Sequence, residues 1–506
     1  MTAFEALMAF QRQTEALGQI MGRLGWDQET VMPRGAAAQR AEEMAALETV
    51  LHDRRADPRV AEWLAVAEAP DPAGAAALRW IGRAHARATR VPAQLAAEIA
   101  RATSISQGVW AQARERDDVA MFLPHLAGVL ALRREEAAAL IDGADDGGDL
   151  GAALYDALLD DYEPGARSAR IGALFAAMRP RLVALRAAVM DAPRRPEPLR
   201  GLFAREAQLR LARRLAETFG YDFSRGRLDL AVHPFSSGSG ADVRITTRVA
   251  EDEPFNCLYS TIHEVGHAAY EQAVDAAYAL TPLGRGVSMG VHESQSRIYE
   301  NQLGRSPAFC EWLYAQMVAE FGDMGLDGAD AFCHAVNRVA PGYIRTESDE
   351  VQYNLHIMLR FDLERELIAG RLEVADLEAA WNARFAADFG FAVDRPAHGV
   401  LQDVHWSIGL FGYFPTYSLG NVHAGRLHAA LRADIPDLDA RLARGELDAA
   451  TEWLRERVQR HGALMQPGEV IARAVGADPA APLAPADNAA PLLDYLEAKY
   501  RALYRI

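Results

Sequence analysis

The most informative group of residues for chemistry is the segment His263–His267, which reads His-Glu-Val-Gly-His. Apolar residues around it recur at helical spacing: Leu258, Ile262, Val265 and Ala269. Because positions i and i+4 share one face of a helix, both imidazoles can bind one Zn²⁺. Glu264 lies beside the first histidine and can act as general base on a water at the metal. The segment predicts a zinc hydrolase site, and a solvated helix with two histidines is the alternative.

A catalytic zinc site needs three protein ligands, and the segment Val291–Gln295 offers the third. Glu293 follows His267 by 293 − 267 = 26 residues, and the intervening Thr281–Gly286 contains turn residues that allow a second helix to return. His292 is the competing ligand. We prefer Glu293, because two histidines and a carboxylate form an established hydrolytic set and adjacent helix residues point in different directions.

The chain has 506 residues and a formal net charge of −17, and half of its residues are hydrophobic. This length can bury a large core and enclose a cleft, and the composition excludes collagen-like, coiled-coil and broadly disordered classes. The acidic balance argues against a nucleic-acid partner, since phosphate binding needs a basic footprint. No apolar run approaches the length that spans a membrane. Three cysteines without a CxxC pair favour a reducing, cytoplasmic location.

The elements that position these residues are predicted to be mainly helical, because Ala, Leu, Arg and Glu dominate and apolar residues recur every three or four positions. Stretches rich in proline and glycine mark connections between the helices. They are Ala69–Gly74, Asp142–Gly148, Ala192–Pro198 and Ala477–Pro485.

One stretch has a different pattern. Arg227–Phe235 and Asp242–Val249 are separated by the Ser/Gly segment Ser236–Gly240, and the second run mixes polar and β-branched residues. This pattern predicts a small antiparallel β element within a helical protein. Its edge could hold an extended peptide through main-chain hydrogen bonds, and a hairpin without function is the alternative.

The two zinc-type segments are accompanied by further motifs in a fixed order. They are Leu24–Thr30, His233–Phe235, Asp242–Thr246, Ile344–Asp349, Gly399–Trp406 and Phe411–Tyr417. Together these motifs resemble the thermostable, Taq-type family of zinc metallocarboxypeptidases over nearly the whole chain. Ser348 stands where the family usually has alanine, and no departure occurs at the metal or base positions.

The resemblance implies one catalytic domain over residues 1–506, mainly α-helical, with a deep central groove and an architecture similar to neurolysin and angiotensin-converting enzyme. It implies a homodimer that removes single C-terminal residues from peptides. The implied specificity is broad, with poor cleavage next to proline. Zinc is the implied metal, and cobalt often substitutes for it in such enzymes.

A carboxypeptidase must recognise a free α-carboxylate, and the planar arginine side chain can donate two charge-assisted hydrogen bonds to it. Arg345 is the first candidate, at the head of a predicted helical run that extends to Ile368. Asp349 lies four residues later and is expected to hold the Arg345 guanidinium. Arg244, in the β element, is the second candidate.

His405 and Tyr417 are candidates for stabilising the oxyanion of the tetrahedral intermediate, because each can donate a hydrogen bond. Tyr413 is an equally plausible donor. Asp403 is expected to orient His405 or a ligand histidine. His233 either binds the substrate main chain or belongs to a capped turn. We expect three nearby aromatic residues to pack in the core: Trp406, Phe411 and Phe414.

Two rival functions fit the same motifs. An oligoendopeptidase would share the helical, grooved architecture and cut amidated peptides internally. A zinc-stabilised peptide-binding protein would bind without turnover. The presence of Glu264 argues against the second rival, since a binding protein does not need a general base.

Overall fold

The computed structural model describes residues 1–141, 149–481 and 484–506 and confirms the mainly helical prediction. The predicted break at Asp142–Gly148 lies outside the described residues. No helix in the described ranges is long and apolar enough to cross a membrane. In chain order the helices are α1 (Ala3–Thr30), α2 (Ala37–Arg55), α3 (Pro58–Val66), α4 (Pro72–Arg90), α5 (Ala93–Arg116), α6 (Val119–Leu140), α7 (Leu150–Tyr162), α8 (Ser168–Asp191), α9 (Arg205–Thr218), α10 (Pro254–Ala273), α11 (Met289–Arg297), α12 (Pro307–Phe321), α13 (Ala329–Val336), α14 (Glu350–Ile368), α15 (Leu377–Phe389), α16 (Pro415–Asp434), α17 (Leu438–Leu442), α18 (Asp448–Arg457), α19 (Pro467–Ala474) and α20 (Pro485–Tyr504).

The small β element differs from its prediction. Strand β1 (Leu228–Leu230) pairs with β3 (Asp242–Thr247) in parallel, and β2 (Ser236–Ser239) pairs with β3 antiparallel, giving the order β1-β3-β2. The Ser/Gly segment that was predicted to separate two strands is therefore itself a strand. The turn falls at Gly240, which has a φ of 62° and allows the tight reversal between β2 and β3. Parallel pairing of β1 was not predicted, because strand direction does not follow from residue alternation.

The described residues form two compact units. The first contains residues 1–89, 196–337 and 423–481. Inside it, α10 packs against α9, α11 and β3. Its apolar side is fully buried through residues such as Leu258, Ile262 and Val265. The helix that carries the zinc-type motif is thus the central element of this unit.

The second unit contains residues 90–141, 149–195, 338–422 and 484–506. Its core is built around α14, which packs against α7, α8 and α15, while α20 packs on α8. Trp406, Phe411 and Phe414 are buried in this core, as the sequence predicts. The hydrophobic burial of these large side chains stabilises the unit that carries Arg345 and His405.

Candidate active site

Helix α10 places the first two predicted ligands on one face. It begins at Pro254, where proline suits the first helical turn and the Glu253 side chain accepts a hydrogen bond from the Phe255 amide. Gly266, between the two histidines, allows α11 to cross closely. A Cβ on Gly266 would lie 2.6 Å from the carbonyl oxygen of Gln295, so any side chain would force the two helices apart. This close crossing brings the next predicted ligand to the histidines.

The structure brings His263, His267 and Glu293 together, with their candidate ligand atoms all within 4.8 Å of one another. Oε2 of Glu293 lies 3.3 Å from Nε2 of His267 and 3.8 Å from Nε2 of His263. Ligands at 2.0–2.1 Å from a tetrahedral zinc ion are about 3.4 Å apart. Two imidazole nitrogens and one carboxylate oxygen at these separations fit a divalent metal with an open coordination position.

Glu264 is buried on α10 beside these ligands. Burial raises the pKa of its carboxyl group from the ordinary value of 4.5 to about 7. A general base works best when its pKa lies near the operating pH, so this environment suits proton transfer at neutral pH.

An outer layer of charged residues surrounds the His263 and Glu293 side of the cluster. Glu300 accepts a hydrogen bond at 2.9 Å from Nδ1 of His263, which leaves Nε2 for the metal. Arg297 donates to Oε1 of Glu293 at 2.6 Å and lies 3.5 Å from Glu300. Burial opposes ionisation of Glu293, but Arg297 and the histidines outweigh it and hold its pKa well below the ordinary value.

The sequence reasoning missed Arg297 and Glu300. The structure shows why Glu300 was hidden: α11 runs directly into a π-helical segment, Ile298–Leu303. A π turn has more residues than an α turn, and such segments are frequent at functional sites. Residue spacing on an ideal helix therefore does not give the direction of Glu300. Arg297 could have been found, because it lies four residues after Glu293 on α11.

His292, the competing ligand, has both ring nitrogens engaged elsewhere. Nδ1 lies 2.6 Å from Nδ1 of His267, and Nε2 lies 2.9 Å from Oε1 of Glu271. This arrangement favours Glu293 as the third ligand. Burial lowers the pKa of His267 to about 3, so its ring is neutral, as metal binding requires.

In the second unit, Arg345 is buried and held by an ion pair. Its Nε and Nη2 donate to Oδ1 of Asp403 at 3.1 and 2.9 Å, and its Nη1 donates to the Tyr353 hydroxyl. The other carboxylate oxygen of Asp403 accepts from Nε of Arg360 at 2.7 Å. Burial alone would raise the pKa of Asp403, but the two arginines hold it well below the ordinary value.

The predicted contact between Arg345 and Asp349 is wrong. Arg345 lies in a 3-10 turn, Arg345–Glu347, and α14 begins only at Glu350. Asp349 is the N-cap of α14, and its Oδ1 accepts hydrogen bonds from the amides of Val351 and Gln352 at 3.0 Å each. The i+4 argument fails because the two residues do not share a helix.

His405 and its neighbours also lie in the second unit. Nε2 of His405 is 3.4 Å from the Tyr417 hydroxyl, and the Tyr413 ring packs against Tyr417 with centroids 5.3 Å apart. Burial lowers the pKa of His405 to about 3, so its ring is neutral and one nitrogen can donate a hydrogen bond. Asp403 is bound to the two arginines, and its closest oxygen is 3.9 Å from Nδ1 of His405. The expected direct orientation of His405 by Asp403 is therefore wrong.

The remaining two candidates belong to the first unit. His233 is exposed in the loop between β1 and β2. Arg244, on β3, makes a two-point ion pair with Asp242 and lies over the Trp26 ring, 4.4 Å from the centroid. The stacking fixes the plane of the guanidinium, and an aromatic partner of this kind was not predicted.

The mainly helical fold and the cluster of two histidines and a glutamate around a buried glutamate define a metallopeptidase of the HExxH class. The chain belongs to the carboxypeptidase Taq (M32) metallopeptidase family, whose model matches residues 6–500. The family resemblance predicted from the sequence is confirmed. The protein is therefore a metallocarboxypeptidase that acts on peptides.

Relatives match the chain from end to end. It is 42% identical to thermostable carboxypeptidase 1 of Thermus thermophilus, with 99% of each chain covered. It is 33% identical to thermostable carboxypeptidase 1 of Pyrococcus furiosus, covering 93% of this chain and 95% of that one. Among solved structures, the M32 carboxypeptidase from Deinococcus radiodurans R1 superposes with a TM-score of 0.91 at 38% identity, with both chains fully covered.

Proposed function

We propose that this metallocarboxypeptidase uses zinc to remove single C-terminal residues from peptides. The observation that carries the proposal is the cluster of His263, His267 and Glu293 beside the buried Glu264. A metal held by these three ligands would supply Lewis acidity, lowering the pKa of water and polarising the scissile carbonyl.

Glu264 performs the proton transfers in this proposal. Its carboxylate takes a proton from the attacking water while the water oxygen bonds to the carbonyl carbon of the last peptide bond. The C–N bond then breaks, and Glu264 returns the proton to the leaving amine nitrogen. The pKa of about 7 permits both transfers near neutral pH, because the group can then both accept a proton from water and donate it to the leaving amine.

His405 and Tyr417 donate hydrogen bonds to the oxyanion in this proposal, with Tyr413 as the alternative donor. Removal of one such donor typically costs about 10²–10³ in rate. The neutral state of His405 supports the role, since a neutral imidazole keeps one N–H. His233, exposed in the loop between β1 and β2, is the proposed contact for the substrate main chain, whereas Asp349 serves as the N-cap of α14.

Arg345 and Arg244 are the two proposed partners of the substrate α-carboxylate. Arg345→Ala should raise KM for free-acid peptides by about 10-fold or more, because it removes charge-assisted hydrogen bonds to the substrate carboxylate. Arg244→Ala is the matched variant. If only Arg244→Ala raises KM for free acids, the carboxylate role passes to Arg244.

The proposal includes broad specificity with poor cleavage next to proline, replacement of zinc by cobalt, and a homodimer in the cytoplasm. Three cysteines are buried and form no disulfide, which supports a reducing compartment: Cys257, Cys310 and Cys333. Sedimentation equilibrium tests the homodimer directly. A monomer at micromolar concentration would contradict it.

The decisive experiment is mass spectrometry of one short peptide, offered as free acid and as C-terminal amide, with zinc- or cobalt-loaded protein. We expect a ladder of single C-terminal losses from the free acid only, abolished by a chelator. Internal cuts in both forms would favour an oligoendopeptidase. Absence of cleavage by metal-loaded protein would favour a peptide-binding protein.

A further inference from the structure

His292 is a motif residue that the proposed reaction leaves without a role. It precedes Glu293 on α11, and its ring packs against the ring of His267, with centroids 4.8 Å apart. Nδ1 of His292 is 2.6 Å from Nδ1 of His267, while Nε2 of His292 is 2.9 Å from Oε1 of Glu271. The three side chains therefore form one hydrogen-bonded row.

The direction of the hydrogen bonds in this row follows from donor and acceptor chemistry. The Glu271 carboxylate only accepts, so Nε2 of His292 carries a hydrogen. Nδ1 of a neutral His292 is then an acceptor, and Nδ1 of His267 must donate to it. This leaves Nε2 of His267 with its lone pair free, and that nitrogen is the one 3.3 Å from Oε2 of Glu293.

The surroundings show that the row is built into the fold. His267 and Glu271 are four residues apart on α10 and share one face, so α11 needs to supply only the ring between them. The Gly286 amide donates to Oε1 of Glu271 at 2.9 Å. A Cβ on Gly286 would lie 2.6 Å from Cδ2 of His292, so only glycine leaves room for the ring.

We propose that His292 and Glu271 are positioning residues that hold His267 in the tautomer and orientation that bind the metal. The inference rests on the metal site proposed above. It assigns unlike supports to the two histidine ligands: His263 is held directly by Glu300, whereas His267 is held by a carboxylate through a second imidazole. Partners of this kind typically change metal affinity or activity 10–100-fold when they are removed.

Two variants of His292 separate the two ends of the row. His292→Phe keeps a ring but removes both hydrogen bonds, and it should weaken Zn²⁺ binding by about 10–100-fold. His292→Asn places an amide oxygen where Nδ1 accepts from His267 but is too short to reach Glu271, so it should bind Zn²⁺ with intermediate affinity. His52→Phe makes the same change on α2 as the control. Full-length metal-free protein is titrated with Zn²⁺ against a competing chelator.

The visible spectrum of the Co²⁺-loaded proteins provides a readout that a purely structural role would not change. We expect the His292→Phe spectrum to differ from the wild-type spectrum, and the His292→Asn spectrum to lie close to it. Wild-type Zn²⁺ affinity and spectrum in His292→Phe would overturn the proposal. Equal losses of Zn²⁺ affinity in His292→Phe and His292→Asn, together with unchanged Zn²⁺ affinity in Glu293→Gln, would show that His292 is itself a metal ligand. That result would also overturn the proposal.

Glu271→Gln protects the test against a folding defect in His292→Phe, because the amide keeps the shape and still accepts at one oxygen. It should weaken Zn²⁺ binding several-fold while urea unfolding of the metal-free protein stays as in the wild type. Unchanged affinity in a folded Glu271→Gln protein would overturn the role of Glu271. None of these readouts uses peptide cleavage, so failure of the proposed function remains distinguishable.

Discussion

The candidate metal cluster and the Asp403 cluster are both buried and charged, but they are assembled in different ways. The metal cluster takes all of its ligands from α10 and α11, with two of them four residues apart on one helix. The Asp403 cluster joins Arg345 and Arg360 to a carboxylate in the loop that precedes α16. The metal cluster therefore depends on the short spacing of residues along helices, whereas the Asp403 cluster depends on the conformation of a loop.

The difference has an energetic counterpart. The arginines around Asp403 are held by a single carboxylate, so one side chain balances two buried charges. Around the metal ligands, by contrast, Glu293 and Glu300 share the arginines Arg297 and Arg305. Loss of Asp403 should therefore disturb the fold, whereas Glu264, which holds none of these ion pairs, should matter for the reaction.

Glu264→Gln is expected to have the largest effect on the reaction. It removes the general base while retaining the side-chain shape, and kcat should fall by about 10²–10⁴-fold. Bound zinc should stay at one per chain, since Glu264 is not among the candidate ligands. The measurements are kcat with a free-acid peptide and metal content by atomic absorption. Activity within tenfold of the wild type would contradict the assignment.

Asp403→Asn is expected to have the largest effect on stability. The substitution leaves Arg345 and Arg360 buried without their common counter-charge, which should cost about 3–5 kcal/mol. Urea unfolding monitored by circular dichroism measures the loss. Asp437→Asn, in a solvent-exposed pair with Arg441, is the control and should change the free energy of unfolding far less, because water already screens these charges. Equal changes in the two variants would contradict the comparison.

The sequence predicts the metal cluster better than the Asp403 cluster, because only the metal cluster is built from closely spaced helical residues. His263, His267 and Glu264 could be placed because helical periodicity converts spacing directly into a shared face. The partner of Arg345 could not, because the helix begins five residues later than predicted and Asp403 lies 403 − 345 = 58 residues away. Spacing along one element carries no information about a side chain that a loop supplies.

In the fold, too, the local features could be predicted from the sequence and the features that depend on tertiary packing could not. The helical class and the helix around His263–His267 followed from composition and periodicity, since these properties are local. The parallel pairing of β1 with β3 and the π-helical segment at Ile298–Leu303 depend on tertiary packing. Each of these irregular features lies in the unit that carries the metal ligands, where a regular continuation would have moved a functional side chain.

Glu364 sharpens the comparison, because it is a buried carboxyl without an arginine in its hydrogen-bonding shell. Trp406, Tyr155 and the Gly412 amide donate to it, yet burial outweighs them and raises its pKa to about 7. The ordinary pKa of this carboxyl group, which it has in the unfolded chain, is 4.5. The folded state therefore binds more protons in this window, and this group's contribution to stability falls as pH rises from about 4 to 7.

The expected size of this pH effect is about 3 kcal/mol, at 1.36 kcal/mol per pKa unit. Glu364→Gln cannot titrate, so its free energy of unfolding should vary less between pH 5 and pH 8 than that of the wild type. Urea titrations of both proteins at the two pH values measure the difference. The same pH dependence in both proteins would show that Glu364 is ionised throughout, like Asp403.

Asp349→Ala should give the smallest effect and tests the corrected role of this residue. Loss of an N-cap typically costs about 1 kcal/mol, because the amides of Val351 and Gln352 lose their acceptor. Since Asp403 and Tyr353 hold Arg345, KM for free-acid peptides should stay within about twofold of the wild-type value. Urea unfolding and steady-state kinetics measure the two quantities. A rise in KM without a loss of stability would return Asp349 to the substrate, whereas the expected result makes it an element of α14 alone.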